Sequence, residues 1–142
     1  MGITFTGRII APRIEPGTQL PYTYTAGESI SAKEVVCKGE SDGKIYQAAA
    51  SGWTRMPAFG VAIQTKSDGE SIQVIQFGTV SNIARTEDFN FDDKIYIGTT
   101  AGKATKTPPG AVGNIVQAIG RAINTSDIIL AIDETAVEIL EL

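Results

Sequence analysis

From Ala26 onward, apolar and polar positions alternate in short runs separated by Gly, Asp and Ser, and helical spacing is scarce. "KEVVCKG" and "GKIYQAA" flank Ser41-Asp42-Gly43, and "FGVAIQT" and "SIQVIQFGTV" flank Ser67-Asp68-Gly69. Asp-Gly tolerates the positive φ angles of tight hairpin turns, so each pair predicts two antiparallel strands. "DKIYIG" and "KATKT" around Thr100-Ala101-Gly102, and "VQAIGRAIN" and "DIILAID" around Thr125-Ser126, predict two more hairpins. The tail "DETAVEIL" fits either a helical turn or two or a strand.

Residues 1–25 read differently. Pro12, Pro16 and Pro21 exclude a regular helix, and "PYTYT" alternates aromatic residues with threonine. Two readings stand: an extended arm that pairs near its ends as an edge strand, or a first strand packed on the body. Fully extended, 25 residues would span several tens of Å at roughly 3.3 Å each. Arg8 and Arg13 against Glu15 give residues 1–25 a net charge of +1, while the rest, with 10 basic and 15 acidic residues, carries −5.

The strand pattern repeats. "FGVAIQT" around Gly60 matches "IGRAINT" around Gly120, and "EVVCK" matches "KIYIG" at the same offset of 60. In both halves a hairpin leads through a Pro-containing loop into a Gly-x-Ala-Ile strand. The expected fold is all-β: a compact barrel or sandwich of short antiparallel strands in residues 26–142, built from two similar β-modules of about 26–83 and 84–142, with an extended N-terminal arm over 1–25.

"YIGTTAGKAT", residues 96–105, imitates a phosphate-binding loop. Such a loop needs four residues between its glycines, then Gly-Lys followed by Ser or Thr, then a helix whose N-terminus receives the anion. Here three residues separate Gly98 from Gly102, Ala104 follows Lys103, and Pro108-Pro109 forbids the helix. The stretch reads as a hairpin.

Composition narrows the chemistry. The 142 residues suffice for a real core, and a net charge of −4 argues against binding nucleic acid through bulk electrostatics. No histidine is present, which removes the usual general base, the Ser-His and Cys-His dyads and the commonest zinc ligand. The single cysteine, Cys37, lies in "EVVCKG" and reads as a small buried hydrophobe. No apolar run reaches membrane-spanning length, and no secretory signal is visible. In "TEDFNFDD", Asp88, Asn90 and Asp92 open like a calcium loop, but Asp93 and Thr99 stand where Gly and the twelfth-position Glu belong. That stretch reads as a connector that buries Phe89 and Phe91 and wets its carboxylates. Trp53 in "ASGWTRMPAFG" suits a core cap, an interface or a sugar-stacking site, with Arg55 as a polar contact at the rim. The tail "AVEILEL" is apolar enough to seek a partner surface. Neither a cofactor nor a metal is expected.

A run of these features carries a resemblance. Lys94-Ile95-Tyr96-Ile97, Thr99-Thr100-Ala101-Gly102, Pro108-Pro109, Gly113-Asn114, Val116-Gln117, Ile119-Gly120-Arg121-Ala122 and Asp127-Ile128-Ile129-Leu130 follow one another in an order that resembles the C-terminal half of small structural proteins of tailed bacteriophages. The preceding half, "AGESISAKEVV…GKIYQA…AFGVAIQ…VIQFGTV", is similar to them too, so the likeness covers residues 26–132. It implies a head decoration, or cement, protein: a β-rich virion component without catalytic residues, often a homotrimer, bound to the major capsid protein on the outer surface of the head and stabilising it. It also implies that capsid contacts lie in the N-terminal arm, here Arg8, Ile9, Ile10, Arg13, Tyr22 and Tyr24. Trp53, Arg55, Ile139, Leu140 and Leu142 are the interface candidates on the body. Neither nucleic acid nor membrane is an expected partner. The alternative within the same kind of particle is a tail or head-fibre module that recognises a host-surface glycan through Trp53.

Overall fold

The computed structural model describes residues 21–141. Arg8, Ile9, Ile10, Arg13 and Leu142 lie outside them. The strands are β1 (Tyr22–Thr25), β2 (Val35–Lys38), β3 (Ile45–Gln47), β4 (Ala58–Ala62), β5 (Ser71–Ile75), β6 (Phe77–Val80), β7 (Lys94–Ile97), β8 (Ala104–Thr105), β9 (Ile115–Val116), β10 (Ala118–Ala122), β11 (Ile128–Ala131) and β12 (Val137–Glu138). A short 3-10 turn, Trp53–Arg55, is the one helical element among the described residues. The protein is all-β, as the alternation of short runs predicts.

Two five-stranded antiparallel sheets have the same topology. The first runs β1-β5-β4-β2-β3 and the second β6-β11-β10-β7-β8. Read in chain order, each sheet lays its strands down in the same sequence, with β9 added in the second. Pairing Val36 with Gly60, then Cys37 with Ala58, bulges Phe59 out of β4. Pairing Ile95 with Gly120, then Tyr96 with Ala118, bulges Ile119 out of β10 in the same way. The loops repeat as well. Lys33 N–H donates to Ala62 O at 2.7 Å and Asp92 N–H to Ala122 O at 2.8 Å, and both residues hold positive φ, 78° and 68°. Ile30 N–H donates to Lys66 O at 2.9 Å, and Phe89 N–H to Thr125 O at 3.0 Å.

These ladders correct one sequence expectation. The Gly-x-Ala-Ile strands do stand 60 positions apart, but the hairpins before them stand 59 apart: Lys38 pairs with Ile45 and Ile97 with Ala104. One extra residue between β8 and β10 accounts for the difference. A one-residue slip sends each side chain to the opposite face, so Val36 corresponds to Ile95 and not to Tyr96. The loop that imitates a nucleotide site is the second copy of a turn. Gly98 N–H donates to Lys103 O at 2.9 Å, as Gly39 N–H does to Lys44 O at 2.7 Å, and Gly102 and Gly43 hold φ of 77° and 70°.

Two open alternatives are settled, and two further expectations change. The sheets do not close into barrels: at their edges only single bridges, Ala26 with Ile45 and Arg85 with Ala104, reach round. The tail is a strand and not a helix, because Val137 pairs with Val116 and Glu138 with Ile115. Of the two connector aromatics only Phe89 is buried; Phe91 is 79% exposed, since it sits where the first module has the small Ala32. "SIQVIQFGTV" is not one strand either: it breaks at Gln76, β5 joining the first sheet and β6 the second.

A single core spans both sheets. Val35, Ala58 and Val61 of the first pack with Ile95, Ile97, Ile119, Ile128 and Leu130 of the second, and Phe89 and Ile115 complete it. A smaller cluster of Ile30, Val36, Ile45, Ile72 and Val74, walled by Tyr24 and Phe59, fills the other face of the first sheet. Removing this aliphatic surface from water is the main stabilising term. Gln117, 1% exposed, is the polar bolt of the core. Its Oε1 accepts from Ala58 N–H at 2.8 Å, and its Nε2 donates to Ala58 O at 3.0 Å and Asp133 O at 2.9 Å.

Candidate functional site

β1 is the outermost strand of the first sheet, so the segment that emerges at Pro21 enters the body along a sheet edge. Tyr22 pairs with Val74 and is 54% exposed. Two residues on, Tyr24 turns in against Phe59, edge to face at 5.4 Å, with the Lys38 ammonium 5.3 Å from its ring centre. Of the two arm tyrosines within the described residues, Tyr22 is therefore the one that faces outward.

The candidates on the body separate into two places. Trp53, 48% exposed, donates its indole N–H to Glu138 Oε1 at 2.7 Å, which fastens the 3-10 turn to β12. Ile139 continues that strand: its N–H donates to Asn114 O at 2.9 Å and its carbonyl accepts from Gly113 N–H at 2.8 Å. Leu140, 68% exposed, and Val137, 56% exposed, flank the tie. Trp53 and the tail, far apart in the sequence, thus meet at β12.

Arg55 turns the other way. Its guanidinium meets the Glu28 carboxylate at 2.6 and 3.2 Å and donates to Gln47 O at 3.1 Å. Burial raises the Glu28 pKa, but the bond and charge of Arg55 and the Gln47 N–H outweigh it and hold the carboxyl below its ordinary value. Glu87 is its counterpart in the second module. It accepts from the Thr105 hydroxyl and from the N–H groups of Lys106 and Thr107, both at 3.2 Å. These bonds, the Thr105 hydroxyl first, lower its pKa too. Both glutamates are loop fasteners that occupy their own partners. Burial pushes the Cys37 thiol up to about 11, which leaves no thiolate for nucleophilic chemistry near neutrality.

Sequence reasoning passed over a third surface. On the second sheet, Lys94, Ala118, Gly120, Arg121, Ile129, Ala131 and Asp133 line a groove of about 490 Å³. Ile129 is 53% exposed and Phe77, on the neighbouring edge strand, 48%. Its signal is present in "DKIYIG" and "IGRAIN", but only the strand pairing brings Lys94 opposite Arg121.

Among the described residues no group of three or more acidic, histidine or cysteine side chains could hold a metal ion, and no helix is long and apolar enough to cross a membrane. What the structure presents is a sheet edge, exposed apolar residues at β12 and a groove. No curated protein matches the chain. Residues 14–128, most of its length, match the phage cement protein family, and the chain belongs to that family, a structural component of the virion capsid.

Proposed function

We propose that this protein binds the outer surface of the phage head, on the major capsid protein, as a homotrimer, and stabilises the shell without catalysing a reaction. The family match over residues 14–128 carries the reading. Charge and topology support it: residues 1–25 are net positive on a net negative chain, and they feed an edge strand with Tyr22 exposed. In this reading Arg8, Ile9, Ile10, Arg13 and Tyr22 make the capsid contact, by strand addition and apolar anchoring, while Tyr24, turned in against Phe59, holds β1 to the body. The exposed Trp53 and Leu140 add contact area, and many copies on one lattice turn weak contacts into firm attachment.

Co-sedimentation with heads stripped of their own decoration tests it. Saturable binding at a copy number fixed by the lattice, and greater resistance of the heads to heat, are expected. Absence of binding at low salt overturns it. Arg8→Glu with Arg13→Glu should weaken attachment while leaving the fold intact. The glycan reading rests on the exposed Trp53 alone.

A further inference from the structure

The chain contains one joint twice, once made and once open. In the made joint, the face of the first sheet bearing Val35, Ala58 and Val61 is buried in the core shared with the second sheet. The turn Gly98–Gly102 of the second module reaches into its margin. Val35 N–H donates to Gly102 O at 3.0 Å, Gly102 N–H to Ala48 O at 2.7 Å and Ala50 N–H to Gly98 O at 2.8 Å.

The strand register locates both halves of the open joint. Val61 pairs with Val35 and Ile75, as Arg121 pairs with Lys94 and Ile129. The face equivalent to Val35, Ala58, Val61 and Ile75 is therefore Lys94, Ala118, Arg121 and Ile129, which is the open groove. The turn equivalent to Gly98–Gly102 is Gly39–Gly43, whose Glu40, Ser41 and Asp42 are exposed. Charge marks the difference. Val35 and Val61 on the face, and Thr99, Thr100 and Ala101 on the turn, are all uncharged in the made joint, whereas the open one has Lys94 and Arg121 on the face and Glu40 and Asp42 on the turn.

We infer that a second copy of this chain occupies the groove: the acidic turn Gly39–Gly43 of one copy docks head to tail on the Lys94–Arg121 face of the next, as the turn Gly98–Gly102 meets Val35 within each chain. Such a heterologous contact closes into a ring when its rotation allows. Lys94 and Arg121 outnumber Asp133, the acid that also lines the groove, so opposite charges set the register, and the apolar floor of Ala118, Ile129 and Ala131 supplies the buried area. Arg121 already touches Asp92, its guanidinium lying 3.0 Å from the carbonyl and 3.5 Å from the carboxylate, and Lys94 lies 5.9 Å from the Tyr96 ring centre. Asp42 bonds Lys44 N–H and the Tyr46 hydroxyl. Each therefore arrives oriented by its own chain.

The inference deepens the homotrimer part of the proposal above and is independent of capsid binding, so it is tested on the isolated full chain. Sedimentation velocity up to roughly 100 µM, a range that detects weak self-association, should show a concentration-dependent oligomer that weakens as salt rises. Lys94→Glu with Arg121→Glu, and separately Glu40→Lys with Asp42→Lys, should each weaken association about tenfold or more, through like charges across the joint. All four changes in one chain, which exchange the signs, should restore it. Circular dichroism melts check folding, and the single changes Lys94→Glu and Glu40→Lys, both at exposed positions, stand in if a double variant unfolds. A monomer throughout, association indifferent to either reversal, or no restoration by the exchange overturns the inference. Binding to heads by a monomeric wild type would leave the capsid reading standing and this one refuted.

Discussion

Gly60 and Gly120 occupy the same place in the two sheets, each directly after the bulged residue of its strand and each pressed against the neighbouring strand's backbone. A Cβ on Gly60 would stand 2.6 Å from Ile75 O and 2.5 Å from Val74 Cγ1. On Gly120 it would collide with Ile129 O, with Ile129 C at 3.1 Å and Leu130 Cα at 3.3 Å behind it. The bulges at Phe59 and Ile119 swing the strands toward β5 and β11, and only glycine leaves room. The most visible identity of the sequence repeat is thus a close approach of backbones, enforced twice.

Gly60→Ala and Gly120→Ala should each destabilise the fold by about 1–3 kcal/mol, the usual range for forcing an extra methyl into a packed site. Gly120→Ala should be the worse, because its nearest atoms are all backbone, while the Val74 side chain beside Gly60 can turn. Gly52→Ala, with nothing within 4 Å and extended backbone at φ 169°, serves as a control and should leave the urea midpoint unchanged. Equal midpoints for all three variants would contradict the steric account.

Gln117 offers a sharper test of how the two halves are bolted together. Its amide fits the backbone of Ala58 as a neighbouring strand would and reaches Asp133 O as well. Gln117→Leu keeps most of the volume but strands the buried Ala58 N–H, and should destabilise by about 1–3 kcal/mol. Gln117→Glu can still accept from Ala58 N–H but donates to neither carbonyl when ionised, so its loss should exceed that of the Leu variant at neutral pH and shrink in acid as the carboxyl gains a proton. Urea titrations of both variants at neutral and acid pH read the difference.

Much of the fold could be read from local chemistry. Asp-Gly and Ala-Gly marked the turns between β2 and β3, β4 and β5, and β7 and β8, because a positive φ is demanded where it is seen, at Gly43, Gly69 and Gly102. What escaped is what pairing decides. Nothing local says that the chain changes sheets at Gln76, since both strands beside it alternate equally well. Nothing local separates an offset of 59 from one of 60, because Val, Ile and Cys suit either face of "EVVCK" and "KIYIG". The tail stayed open between helix and strand for the same reason: "AVEIL" becomes a strand because Ile115 and Val116 lie beside it. The surfaces follow this rule. Trp53 was legible as an exposed aromatic, but its tie to Glu138 spans 85 positions, and the Lys94–Arg121 groove exists only through strand register.

Cys37 should behave as a buried apolar residue and not as a reagent. It is 2% exposed, and its thiol is pushed up to about 11. A thiol-reactive chromogen at about pH 8 should therefore report almost no free thiol in the native protein and one per chain in denaturant. Cys37→Ser would place a hydroxyl in the joint between the sheets, where the sulfur's hydrogen-bond acceptor, Gln47 O, is 3.8 Å away, and should lower stability by about 1–3 kcal/mol. Rapid native labelling would show that the joint opens.

The paired glutamates make stability fall in acid, and the sign follows from their shifts. Glu28 and Glu87 are both held below the ordinary carboxylate value, so the unfolded chain takes up these protons at a higher pH than the folded one does. Their contribution is complete above the unfolded pKa and is lost as pH falls through the lowered folded values. The urea midpoint should accordingly be flat near neutrality and drop between about pH 5 and pH 3. Glu28→Gln and Glu87→Gln remove the titrating groups while keeping an acceptor for Gln47 N–H and for Thr105. Each variant should be less stable than wild type at neutral pH and should lose less on acidification, so the curves converge in acid. Glu28→Gln also leaves Arg55 without its counter-charge beside the shared core, so its deficit at neutral pH should be the one relieved by Arg55→Gln in the same chain. Parallel curves for wild type and both variants would assign the acid limb to other carboxylates, of which Asp42 and Asp127, also lowered, come next to be replaced.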